Sequence, residues 1–173
     1  MARWSEFALA APRLADTVHG LLHQYGPGLG YLATVRADGG PRVHPVSPVV
    51  HEGGLYCFVI ASPKRFDLER DGRYALHTFA AEKSDDEGYV AGRAIRVTER
   101  SLISKLATEM RADARVDWRL YELTIEVAMA VRRGSAATVS ADRSAAYDIW
   151  RDPRVWQSHG GGRFGTVGPR LRV

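Results

Sequence analysis

Apolar residues first recur at helical spacing after Pro12: Leu14, Val18, Leu21, Leu22 and Tyr25. This predicts an amphipathic helix from Pro12 to Tyr25, stopped by Gly26-Pro27. The period then changes. LGYLATVR (29–36) reads as a strand, ADGG as a hairpin turn, and PRVHPVSPVV (41–50) as the returning strand. HEGG turns the chain again before a third strand, LYCFVIA (55–61). Two further strands, RYALHTFA (73–80) and YVAGRAIRV (89–97), are joined by the polar link EKSDDEG. A helix near Ser101–Arg111 carries Leu102, Leu106 and Met110 on one face, and LYELTIEVAMAV (120–131) closes the regular part. The expected fold is mainly β (α+β): a six-stranded antiparallel barrel with two or three short flanking helices, because closure removes exposed strand edges.

Between the third and fourth strands lies IASPKRFDLERDG (60–72). Ser62 is a preferred N-cap, Pro63 suits the first helical position and Gly72 supplies a stop. A short helix therefore starts at Pro63, with Lys64 and Arg65 on its positive pole, where cations are disfavoured. Either both side chains swing into water, or an anion is held there by free N–H groups, an ammonium and a guanidinium together. The second strand is also unusual. Pro41, Pro45 and Pro48 lie in or beside it, which fits an edge strand or a strand whose backbone borders a ligand.

The chain has 173 residues, enough for one domain, with 45% hydrophobic and 25% charged residues. The net charge of +4 permits attraction to anions, but it is dispersed, and the strands show no aromatic stacking pattern for nucleic acid. Cys57 is the single cysteine, so an internal disulfide is impossible and a buried thiol is expected. MARWSEF lacks a basic segment followed by an apolar one, and no apolar run approaches a membrane span. The expectation is a cytoplasmic protein. The aromatic tail YDIWRDPRVW and the Gly-rich HGGGRFG divide the chain into a barrel domain, 1–131, and an extension, 132–173, packed on the barrel or on a second subunit.

Familiar catalytic motifs are missing. GLGYLA precedes a strand where a dinucleotide fingerprint must open a helix, and GGGR lacks the Lys-Ser/Thr of a phosphate loop. The six histidines are scattered without a His-Glu-x-x-His arrangement, so no metal set is expected; Asp85, Asp86 and Glu87 read as a solvated loop. No nucleophile turn is present. Such a chain suits chemistry carried by a bound cofactor, with the protein supplying position and electrostatics.

The ordered series YLATVRADGGPRVHPVSPVV, LYCFVIASPKRFDLERDGRYALHTF and GYVAGRAIRV resembles the pyridoxamine 5′-phosphate oxidase-like superfamily of flavin-binding split β-barrels, over residues 12–131. The resemblance implies a homodimeric FMN-dependent oxidoreductase with a flavin at the subunit interface and a small-molecule substrate. By position it implies that Lys64 and Arg65 grip the flavin phosphate, with Ser62 at the end of the preceding strand and Arg42 as a phosphate or ribityl contact. Val43, His44, Pro45, Val46 and Ser47 would run beside the isoalloxazine, and Ile60 and Ala61 would line the cleft. The alternatives are a deazaflavin-dependent reductase in the same cleft and a flavin-binding stress or sensor protein without turnover; some members of the superfamily bind haem. Glu87-Gly88 stands where the oxidase has Gln, Ser47 replaces a lysine, and GPRLRV ends the chain without the substrate-holding Arg-x-His-x-Arg segment. These departures point away from vitamin B6 phosphate. No side chain is assigned as acid or base.

Overall fold

A computed structural model describes residues 1–81, 85–113, 115–132 and 146–156. Two helices, α1 (Trp4–Ala10) and α2 (Pro12–His23), precede strands β1 (Gly30–Val35), β2 (Pro41–Val46), β3 (Pro48–His51) and β4 (Gly54–Ile60). Then come α3 (Pro63–Arg70), β5 (Arg73–Thr78), β6 (Glu87–Arg96), α4 (Arg100–Glu109), β7 (Trp118–Arg132), β8 (Ala146–Arg151) and α5 (Pro153–Trp156). All strand pairs are antiparallel, in the order β2-β1-β5-β6-β7-β4-β3, with β8 also on β7. This is the expected mainly-β split barrel.

The element count differs from the sequence expectation in three places. The single strand expected over 41–50 is two strands broken at Ser47. β2 pairs with β1 and β3 with β4, so the two ends of the sheet are consecutive in the chain. The prolines explain the break. Pro45 and Pro48 donate no ladder hydrogen bonds, and both end strands have an unpaired edge where that loss is tolerated. Next, α1 forms before α2, because Trp4 and Phe7 fall one turn apart and bury together, and the Arg3 N–H donates to the Glu6 carboxylate at 2.7 Å. Last, the described part of the tail, 146–156, returns to the barrel as β8 and α5. Trp150 packs on Phe7, ring centroids 5.1 Å apart. The Gly-rich end lies outside the described residues.

β7 is the strand on which the rest is registered. One of its edges pairs with β6 along residues 121–131. The other is divided between β4, opposite 118–122, and β8, opposite 127–132. Ala2 fills the gap: its N–H donates to the Ile125 carbonyl at 2.9 Å and its carbonyl accepts from the Ile125 N–H at 2.8 Å. A bulge shifts the β6–β7 register between Ala91 and Gly92. The Glu126 carbonyl beside it accepts from the Asp152 N–H at 2.8 Å.

Alternation along the strands separates two apolar layers. Leu32, Leu55, Leu76, Val90, Leu123 and Ile125 face inward and pack with Leu14, Val18 and Leu22 of α2 and with Phe7. Tyr56 and Leu120 face the other way and are covered by Leu106 of α4. Glycine is required where backbones meet. A Cβ at Gly92 would stand 2.0 Å from the Thr124 carbonyl oxygen, and one at Gly28 would stand 1.8 Å from that of Pro48. We expect Gly92→Ala to destabilise the fold by about 1–3 kcal/mol, as overpacking does in a filled interior. Urea unfolding should show a lower midpoint with an unchanged slope.

Candidate functional site

α3 has no apolar stripe. Among its buried residues Arg65, Asp67 and Leu68, only Leu68 is hydrophobic. Charge fixes it instead. On one side Asp67 is buried, and its Oδ2 accepts from Thr34 Oγ1 on β1 at 2.9 Å and from Arg42 Nε on β2 at 2.7 Å. Arg70 donates to the Val35 carbonyl. On the other side Arg65 Nη1 donates to the Asp117 carbonyl at 3.0 Å, and Nη2 donates to Asp117 Oδ2 at 2.8 Å. Arg119 Nη1 donates to Glu69 at 3.0 Å. The helix thus ties β1 and β2, at one end of the sheet, to the loop entering β7.

Of the predicted site residues, Ile60 and Ala61 lead into this helix, Ser62, Lys64 and Arg65 open it, and Arg42 is tied to it through Asp67, while Val43 to Ser47 follow along β2 and its break. Arg65 is only 5% exposed and is turned onto Asp117. Its Nε and the hydroxyl of nearby Tyr121 are buried without hydrogen-bond partners. The hydrogen bond from Arg65 holds the Asp117 carboxyl below the usual carboxylate range. Lys64, by contrast, has no ion-pair partner among the described residues, and its charge reaches Cys57 behind the helix start. Burial pushes the Cys57 thiol up to about 12, so it stays protonated. Ser62 does not cap α3 with its side chain: its hydroxyl donates to the Ile60 carbonyl at 2.9 Å. The Ala61 N–H donates to the Asp117 carbonyl at 3.2 Å.

Strand parity divides the β2 residues. Arg42, His44 and Val46 lie opposite Thr34, Leu32 and Gly30, on the inward side, and Arg42 is engaged by Asp67. Val43, 57% exposed, and Pro45 lie opposite Ala33 and Tyr31 on the outer side. Ser47, in the break, is exposed. Ile60 is exposed at the end of β4 opposite Trp118. Arg65 and Arg42 are thus already held by carboxylates, whereas Lys64 has no ion-pair partner among the described residues and Val43, Pro45 and Ile60 are exposed. Asp117 was missed as a partner because nothing local pairs two residues 52 positions apart.

Elsewhere, a cleft of about 320 Å³ beside α4 is lined by Arg3, Glu52, Tyr56, Glu99, Leu102 and Lys105. It touches none of the predicted site residues, and its cations are paired, Arg3 with Glu122 and Lys105 with Glu52. Among the described residues no three His, Cys, Asp or Glu side chains converge as a metal site. No described helix is long and apolar enough to cross a membrane.

No protein-family description and no curated protein matches the chain. Solved structures do. The heme binding protein from Mycobacterium smegmatis is 17% identical with a TM-score of 0.56, over 78% of this chain. This chain spans 57% of that protein's length. PhzG from Burkholderia lata 383, in complex with tetrahydrophenazine-1-carboxylic acid, is 14% identical with a TM-score of 0.57, over 86% of this chain and 87% of that one. General Stress Protein 26 from Bacillus anthracis str. Sterne is 19% identical with a TM-score of 0.53, over 66% and 91%. These likenesses establish the fold alone: the chain is a split β-barrel. Fold at this identity does not carry activity, which has to be argued from the residues.

Burial by itself would raise the Asp67 pKa, but Arg42, Thr34 and Arg70 outweigh it, and the carboxyl sits below its ordinary value. Its stabilising contribution is then fully present above about pH 4 and is lost as the pH falls through the lowered native pKa. Asp67→Asn should cost about 1–3 kcal/mol near neutrality, the lower part of the range for breaking a buried pair because Arg42 is 29% exposed. It should also flatten the acid limb of a stability-versus-pH curve. An unchanged limb would show that α3 is held by other contacts.

Proposed function

We propose that the chain is a homodimeric flavoprotein, an FMN-dependent oxidoreductase acting on a small molecule. The observation that carries this reading is the start of α3: an ammonium, Lys64, with no ion-pair partner among the described residues, at a helix terminus whose side-chain cap is vacant. A phosphate monoester fits that combination, since helix N–H groups and one cation both favour an anion there. Lys64 would hold the phosphate. Val43, Pro45 and Ile60 would offer an apolar wall to the ring, while Arg65 and Arg42 would set the helix and β2 in place from behind. When bound, the flavin supplies the hydride or electron transfer, and the protein binds and orients it.

The dimer half of the reading is supported by the outer face of the sheet. Cross-strand registers align Pro45, Tyr31, His77, Tyr89, Met129 and Ile149 in one row across β2, β1, β5, β6, β7 and β8. The adjacent row runs Val43, Ala33, Ala75, Ala91 and Val127. A sheet face this apolar is normally covered. A second copy of the chain would cover it and bring two helix starts to shared clefts. The structural neighbours include a heme binding protein and a protein in complex with tetrahydrophenazine-1-carboxylic acid, which supports a planar cofactor or ligand, and FMN is favoured by the phosphate end.

Two experiments test this. FMN and riboflavin are titrated into the full chain. Lys64→Ala should weaken FMN about 10–100-fold relative to riboflavin, the worth of one charged hydrogen bond to phosphate. Arg65→Ala should weaken both alike and lower the melting temperature. Equal loss of both flavins in Lys64→Ala would sink the phosphate assignment. In sedimentation, the wild type should run as a dimer and Ile149→Lys as a monomer. A monomeric wild type would remove the shared-cleft arrangement.

A further inference from the structure

We propose that His19 and His23 form a two-imidazole site for a divalent transition metal on the solvent side of α2. The two residues are one turn apart, and their rings lie 4.4 Å between centroids at 26°. A pair spaced i and i+4 on a helix presents both rings from one face. His23 Nδ1 lies 3.0 Å from the His19 carbonyl. A carbonyl only accepts, so Nδ1 carries the proton and Nε2 keeps its lone pair, the arrangement in which a second hydrogen bond orients a ligating imidazole. Gly28 leaves that nitrogen uncrowded: a side chain at Gly28 would bring its Cβ within 3.4 Å of His23 Nε2.

His19 is exposed and has no hydrogen-bond partner among the described residues, so both of its nitrogens are available. Burial of part of the ring and the neighbouring His23 lower its pKa, while Asp16 on the preceding turn acts the other way. The net effect keeps the ring neutral, the form that ligates. The titratable groups facing the pair are therefore Asp16 and each other; Trp4, ring centroid 6.2 Å from His19, supplies an apolar floor. Two imidazoles with water in the remaining positions suit nickel(II), copper(II) or zinc(II), and disfavour calcium or magnesium, which need oxygen ligands. The site stands apart from α3 and does not depend on the flavin reading.

The test uses the untagged full chain with nickel(II) alone as probe, at about pH 7.5, where imidazole is neutral. Calorimetry and quenching of tryptophan emission should report one binding event, with magnesium inert. Because the second ligand acts intramolecularly, His19→Gln and His23→Gln should each weaken binding by about tenfold or more. The double variant should be little worse than either single one. Far-UV circular dichroism verifies that these surface changes leave the fold intact. No binding by the wild type, or small and additive losses in the single variants, would overturn chelation by this pair.

Discussion

The Asp67 carboxylate is the interaction on which the candidate site's geometry rests. It reaches from a short helix into the end of the barrel and accepts hydrogen bonds from two different strands, through Thr34 and Arg42. β2 is an edge strand with prolines at Pro41 and Pro45, so its own ladder holds it weakly. Without Asp67, Arg42 would lose its partner and the end of the sheet would lose its tie to α3. A helix without an apolar face normally has little to keep it docked. Here ion pairs on two sides replace hydrophobic burial, and they act in a direction that sets where the helix start points.

This arrangement changes the meaning of the two adjacent cations. Lys64 and Arg65 read alike along the chain, yet one has no ion-pair partner among the described residues and the other is almost wholly enclosed against Asp117. The penalty for a cation on the positive end of a helix is met differently in each case. Arg65 is compensated by a carboxylate from the loop before β7. Lys64 has no such compensation among the described residues, which is what the phosphate proposal rests on.

Much of the fold was legible because its signals are local. Ser62-Pro63 marked the start of α3, Pro12 and Gly26 bracketed α2, a continuous apolar run marked β4, and β1 was marked by the hairpin turn that follows it. The split at Ser47 was signalled by Pro45 and Pro48, though those prolines alone did not separate a bulge from a full break. β8 was hidden in a tail where Asp148 is the one polar residue among Tyr147, Ile149 and Trp150, too short a run to show a period. The candidate site was half legible. Residue types placed the cations and the strand, but side-chain direction depends on Asp67 and Asp117, whose partners are distant in sequence. The bulge at Gly92 is likewise a property of two strands together.

The divided edge of β7 carries a consequence for how the chain folds. Ala2 can complete its two hydrogen bonds only after Ile125 is in place, and β8 waits on the same strand. During synthesis Ala2 therefore stays unpaired with β7 until most of the barrel has emerged. Contacts of such long separation slow the search for the native state. They also make the two ends of the described chain melt with its middle rather than fray from it.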